Sequence, residues 1–161
     1  MNRQNYNILA GEGDILRILK EIDKAENRES IGAGIQKLLE VLGNYGNADR
    51  TYLFETVHTP EIFTNTYEWC ADGITAQRDN LQDVKFEEMP CWVKKFRQGE
   101  SVVVNNIEDI CHTMPLEYEL LKMKAVKSVV VLPLFHGSYL TGFLGLDNPY
   151  IPGKRKFYIF P

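Results

Sequence analysis

Hydrophobic positions fall in short blocks whose period changes along the chain. Ile15, Ile18, Leu19 and Ile22 keep helical spacing behind Asp14, an N-cap residue type, and predict a first helix. Ile31, Ile35, Leu38, Leu39 and Leu42 repeat that spacing behind Ser30, and Gly43 and Gly46 are expected to end this second helix. The period then shortens. Tyr52 and Phe54 mark a strand and Phe63 to Cys70 another, in which Phe63, Tyr67 and Trp69 share one face by period two. Ala71 to Lys85 is polar and turn-rich. Pro90 opens a short helix at a position proline tolerates, with Trp92, Val93 and Phe96 on its apolar side. Ser101 to Val104 reads as a short strand and Asn105 to Met114 as a loop. Pro115 opens a helix bearing Leu116, Leu120, Leu121 and Met123.

Ala125 to Asn148 is the most informative stretch. An apolar run, a turn around His136-Gly137-Ser138 and a second run carrying Gly142 and Gly145 predict a β-hairpin. The first run lacks polar alternation, so it is expected to be buried on both faces in the middle of a sheet. Pro133 is out of place there, because proline removes a ladder donor and belongs at edges or bulges. Proline beside a glycine-thinned strand marks a place where a sheet leaves room for something to approach. A plain core hairpin with a bulge is the alternative. The element order ααββαβαββ predicts an α+β fold with a mostly antiparallel sheet, its two helix pairs covering opposite faces.

Composition narrows the function classes. At 161 residues, 44% hydrophobic and 25% charged, the chain has the make-up of an ordinary globular domain with a substantial core. A net charge of -4 argues against nucleic acid as a partner, and Lys154-Arg155-Lys156 is too short a basic cluster to carry such binding alone. No run approaches the roughly 18 apolar residues of a membrane span, and the N-terminus lacks the features of a signal peptide, so a cytoplasmic location without membrane contact is expected. Cys70, Cys91 and Cys111 are odd in number and widely spaced, which predicts neither a disulfide framework nor a structural zinc site.

With its residues in view, the chain resembles a GAF domain, a small-molecule sensor module of signalling proteins. The matching residues are Ala48-Asp49-Arg50-Thr51-Tyr52-Leu53-Phe54-Glu55 and Asn65-Thr66-Tyr67-Glu68-Trp69-Cys70. Further on come Trp92, Gly99-Glu100, then Val126 to Leu134 and Leu140 to Asp147. The likeness is to GAF domains that precede diguanylate cyclase or histidine kinase outputs in bacteria. It implies an antiparallel sheet of about six strands, with terminal helices on one face. A ligand pocket on the other would be roofed by Ala71–Gly99 and Asn105–Lys124. The expected organisation is an N-terminal helical extension at 1–29, a sensor domain at 30–150, and an irregular aromatic tail at 151–161 in place of the usual last helix. A standalone sensor and a piece of a longer protein both fit these residues.

Trp69, Phe86 and Trp92 are candidate pocket residues, because small-molecule sites are largely apolar and aromatic; ordinary core packing is the plainer reading of each. The resemblance adds Leu121. It also draws in Cys111 and His112, since a Cys-His pair holds the bilin in tetrapyrrole-binding members. Here the pair lies about one helical turn upstream of that position, and a loop cysteine beside an exposed histidine is the plainer reading. A small GAF enzyme class reduces free methionine sulfoxide with loop cysteines, for which Cys91 and Cys111 are the candidates. Such chemistry needs an accessible thiolate and a resolving partner, and Cys91 at a helix start would have its thiolate favoured by the dipole.

Glu87-Glu88 and Glu117/Glu119 read as solvated helix faces, and His58, His112 and His136 are isolated. Gly-Glu-Gly at 11–13 and Gly-Ala-Gly at 32–34 do not follow strands, so neither is a phosphate loop; the second suits close helix contact. No metal site is expected, and no cofactor is indicated. The expected function is a non-enzymatic regulatory module that binds an unidentified small molecule and forms a homodimer through the Asp14–Lys24 helix. A dimerisation scaffold without ligand and the reductase are the alternatives.

Overall fold

The computed structural model describes residues 8–57 and 59–150. His58 and the expected aromatic tail at 151–161 lie outside the described residues. Helix α1 runs Ile8–Asp23, starting before Asp14, which lies inside the helix and pairs with Arg17 instead of capping it. Helix α2 runs Arg28–Tyr45. Its N-cap is Asn27, not Ser30: the Asn27 side chain accepts the Ser30 backbone N–H at 2.9 Å, moving the start upstream. Gly34 faces Ile22 of α1, where a Cβ would not fit, so the small residues here do serve helix contact.

Strands β1 (Arg50–Glu55), β2 (Ile62–Cys70), β3 (Val84–Lys85), β4 (Val102–Val104), β5 (Val129–His136) and β6 (Tyr139–Asp147) form one sheet of order β3-β2-β1-β6-β5-β4. Every neighbouring pair is antiparallel. Helix α3 (Pro90–Arg97) and helix α4 (Pro115–Met123) both begin at a proline, as the sequence predicts. Strand β3 falls in the stretch expected to be only turns; two residues pairing with Ile62 and Phe63 are too few to show a period. Likewise, a 3₁₀ turn at Ile107–Ile110 buries two isoleucines within the predicted loop.

The hairpin forms, but β5 is not central along its length. β4 pairs with Val129–Val131 alone, and those three residues are buried. Beyond Val131, β5 has only β6 beside it among the described residues, and Leu132, Leu134 and Phe135 are exposed. Pro133 therefore sits on an edge segment, where a missing N–H is tolerated. The space beside Gly145 is taken by the protein itself: a Cβ there would collide with the ring of Tyr52.

Strand β2 carries an extra residue. Leu53 pairs with Tyr67 and Phe54 with Asn65, so Thr66 is unpaired and the alternation of side chains reverses there. Phe63 faces the side away from α2, stacking 4.8 Å edge-on to Phe143. Tyr67 and Trp69 face α2 instead, against Gly32 and Gly43. The expected common face of Phe63, Tyr67 and Trp69 is thereby split. The main core lies on the face opposite α1 and α2, between the sheet and the segments carrying α3 and α4.

Candidate functional site

A cavity opens in that core, on the sheet face roofed by α3 and α4. Its floor is a buried polar trio at the ends of β1 and β6. Arg50 and Asp147 are cross-strand partners, and the Arg50 Nε donates to Asp147 Oδ2 at 3.0 Å. Arg50 Nη1 donates to the Thr75 carbonyl at 3.0 Å and Nη2 to the Lys124 carbonyl at 3.2 Å. One guanidinium thus ties the floor to both crossover segments. Tyr52 Oη donates to Asp147 Oδ1 at 2.9 Å, so both carboxylate oxygens are engaged. Burial pushes the Asp147 carboxyl up from its ordinary value while Arg50 opposes it. Burial, then the Asp147 charge, raises the Tyr52 phenol well above the usual range, so it stays a donor.

The walls are aromatic and aliphatic. Phe54 and Phe143 stack at 4.6 Å, and Trp92 meets Phe143 edge-on at 6.3 Å. Leu81, Val84 and Met89 close one side and Leu120, Leu121 and Val126 the other. The cavity volume is about 40 Å³, space for a few waters and well below the ~300 Å³ at which ligand sites begin. A ligand larger than that has to displace the roof.

Glu117 of α4 joins the two roof helices. It is 1% exposed, and its Oε1 accepts the backbone N–H of Cys91 at 2.6 Å and of Trp92 at 3.1 Å. Helix α3 has no side-chain cap of its own, so a carboxylate from the next helix satisfies its first donors. The expected solvated face at Glu117 is wrong for this residue: position 117 points inward while Glu119 is exposed.

At the rim, Glu68 is consumed by the loop after β2. Its Oε2 accepts from the backbone N–H groups of Gln77 and Arg78 at 2.8 and 3.1 Å, and its Oε1 from Asn65 Nδ2 at 3.3 Å. Lys124 is half-buried, and its ammonium reaches the Leu120 carbonyl at 3.4 Å. Burial lowers its proton affinity below the ordinary lysine value.

Of the residues the sequence singles out, Trp92 and Leu121 line this cavity. Trp69 does not: its ring packs on Gly43, behind the sheet. Phe86 stacks on Phe63 at 4.4 Å and lies under the Arg97 guanidinium, facing an outer cleft with Lys85 and Lys94. Cys111 packs against the core edge and His112 is exposed, both outside the lining. The helix start does not activate Cys91, because burial and then Glu117 raise its thiol instead. Cys70 is pushed up to about 11 by burial and by Glu68. Neither is a prepared nucleophile. No cluster able to hold a metal occurs among the described residues.

The sequence alone does not mark Arg50, Tyr52, Lys124, Phe143 and Asp147 as site residues, yet all five line the cavity. A signal existed for two of them: Arg50 and Asp147 are charges at the ends of otherwise apolar strand runs, where an unpaired ion is costly. Nothing in the sequence marks Glu117, whose spacing fits an exposed helix face equally well.

A curled antiparallel sheet with helices behind it and a roofed cavity in front defines an α+β module with a pocket on one face. The family model for the GAF domain matches residues 31–157, and the chain belongs to that family. It is 26% identical over 115 residues to the methanogenesis regulatory histidine kinase FilI of Methanothrix harundinacea (strain 6Ac), covering 69% of this chain and 13% of that protein. The chain therefore spans a small part of that relative's length. The chromophore-binding domain of an unusual bacteriophytochrome from R. palustris superposes with TM-score 0.70 at 9% identity, covering 95% of this chain and 57% of that one. A far-red absorbing dark state with bound biliverdin IXa gives TM-score 0.62 at 19% identity, with 86% and 85% covered. The GAF domain of a phosphoenolpyruvate-protein phosphotransferase from Coxiella burnetii gives 0.63 at 14% identity, with 88% and 79% covered. At these identities the likeness concerns the fold. No helix among the described residues is long and apolar enough to cross a membrane.

Proposed function

We propose that this chain is the small-molecule-sensing regulatory module of a cytoplasmic signal-transduction protein, that it is not an enzyme, and that it works as a homodimer. The observation that carries the reading is the cavity between the sheet and the crossover segments, with Arg50 at its base holding Thr75 and Lys124 from the two segments at once. A ligand that enlarges the cavity strains those two bonds together. It thereby biases the sheet, and α2 packed behind it, between two arrangements. Exposed Leu16 and Leu19 on α1 support a dimer element there. Native mass spectrometry of the freshly purified protein tests the reading: a dimer with a reproducible added mass, lost on denaturation, is expected. A monomer that takes up no compound from a diverse small-molecule set sinks it.

A second reading, a dimerisation scaffold that fills its own pocket, is favoured by the small free volume of about 40 Å³. It predicts a dimer with no added mass under any ligand set.

A further inference from the structure

The polar groups lining the cavity are unevenly used. Every acceptor is engaged: Asp147 by Arg50 and Tyr52, and Glu68 by Asn65 and two backbone N–H groups. Among the donors, Trp92 and Lys124 stand out. The Trp92 indole Nε1–H is buried and has no hydrogen-bond partner among the described residues, although an indole donor of this kind ordinarily finds one. The Lys124 ammonium forms no ion pair with any described carboxylate, and its single bond, to a carbonyl of its own helix, is long at 3.4 Å. The rings of Tyr52, Phe54 and Phe143 line the same cavity as these two donors.

Resting on the sensor reading above, we propose that the cavity takes a compact aromatic or heteroaromatic carboxylate, its ring between the aromatic walls, its acceptor oxygens receiving the Trp92 Nε1–H and the Lys124 ammonium. An acceptor-bearing ring satisfies the buried indole, which an aliphatic ligand leaves unpaired at a desolvation cost. The anionic charge answers a half-buried cation on which the Asp147 and Glu88 carboxylates act without forming an ion pair. A cationic ligand would meet Lys124 and Arg50, while the two carboxylates that line the cavity, Glu68 and Asp147, are already engaged. Compactness follows from the bonds that Arg50 and Glu117 make to the roof: a one- or two-ring molecule opens it by a small displacement, whereas a long one has to break both.

The test is two-dimensional ¹H–¹⁵N NMR of the intact chain, reading the two indole N–H signals, assigned by triple resonance. Benzoate, indole-2-carboxylate and quinoline-2-carboxylate are titrated beside benzamide, cyclohexanecarboxylate and a fragment set of neutral and cationic rings. A saturable downfield shift of the Trp92 signal by one or more of the aromatic acids, with the Trp69 signal unmoved, is expected. Lys124→Met should weaken that acid's binding roughly ten- to hundredfold, the worth of a charge-assisted hydrogen bond, while leaving the backbone spectrum folded. Neutral or cationic rings that shift Trp92 where the acids do not overturn the ligand class and leave the sensor reading standing. Equal affinity of the wild type and Lys124→Met for the acid overturns the role of the ammonium. No shift of Trp92 by any compound overturns this proposal, and the sensor reading then stands or falls by compound uptake in native mass spectrometry.

Discussion

Arg50 and Asp147 form the one ion pair among the described residues in which both side chains are buried, at 6% and 5% exposure. A pair of this kind contributes little net stability against an apolar replacement, yet removing one partner strands the other charge. Arg50→Met is therefore expected to lower stability by ~3–5 kcal/mol. The double variant Arg50→Met/Asp147→Leu should lose less than Arg50→Met alone, because no charge remains stranded. Urea unfolding of the four cycle members measures the coupling, and additive losses would show that the pair acts as two independent groups.

Glu117 holds α3 from outside the helix. Glu117→Ala removes the acceptor for the part-buried Cys91 and buried Trp92 N–H groups and should cost ~2–4 kcal/mol, combining a lost cap with unsatisfied donors. Glu117→Gln keeps an acceptor oxygen and the shape, and should lose ~1 kcal/mol. Hydrogen exchange at Cys91 and Trp92 is the direct readout. Protection unchanged in Glu117→Ala would mean the helix does not depend on this contact.

Gly43 lies inside α2 where an added Cβ would enter the ring of Trp69. Helix propensity alone favours alanine there by ~1 kcal/mol, whereas overpacking costs ~1–3 kcal/mol. A net destabilisation of ~1–2 kcal/mol is expected for Gly43→Ala, with a changed Trp69 emission spectrum. A stabilised variant would place the indole elsewhere.

Cys70 supplies a pH signature. Its thiol moves from an ordinary value of 9.0 to about 11 in the folded chain, through burial first and the Glu68 charge second. Between those values the unfolded chain has lost a proton that the folded chain keeps, so stability falls as pH rises. The contribution is complete below pH 9.0 and gone once pH passes about 11. The urea midpoint of the wild type should thus drop relative to Cys70→Ala across that interval. Parallel profiles would remove the shift.

How far the sequence reaches is clearest at β2. Strands β1 and β2, the hairpin and both proline-started helices follow from local chemistry: period, turn residues and a fixed proline φ. The face of Trp69 does not, because it depends on one unpaired residue whose position is set by pairing with β1. Trp92 and Leu121 reach the cavity wall because the helices that carry them are amphipathic and legible. The floor was hidden for another reason. Arg50 and Asp147 stand 97 positions apart along the chain, and only the pairing of β1 with β6 brings them together. Glu117 likewise takes its meaning from a helix 25 positions away.

The extra residue at Thr66 makes β2 a crank. Before Thr66, Phe63 packs on Phe143 in the core on the cavity side of the sheet; past Thr66 the parity is exchanged, and Tyr67 and Trp69 press on α2 while Glu68 reaches the rim. A push on Phe63 from the pocket side is therefore carried to the helices through a few covalent bonds of one backbone rather than across a layer of side chains. Shortening the strand by that single residue would turn the handle half a revolution, burying Trp69 among the aromatic walls and leaving Gly43 facing an empty socket.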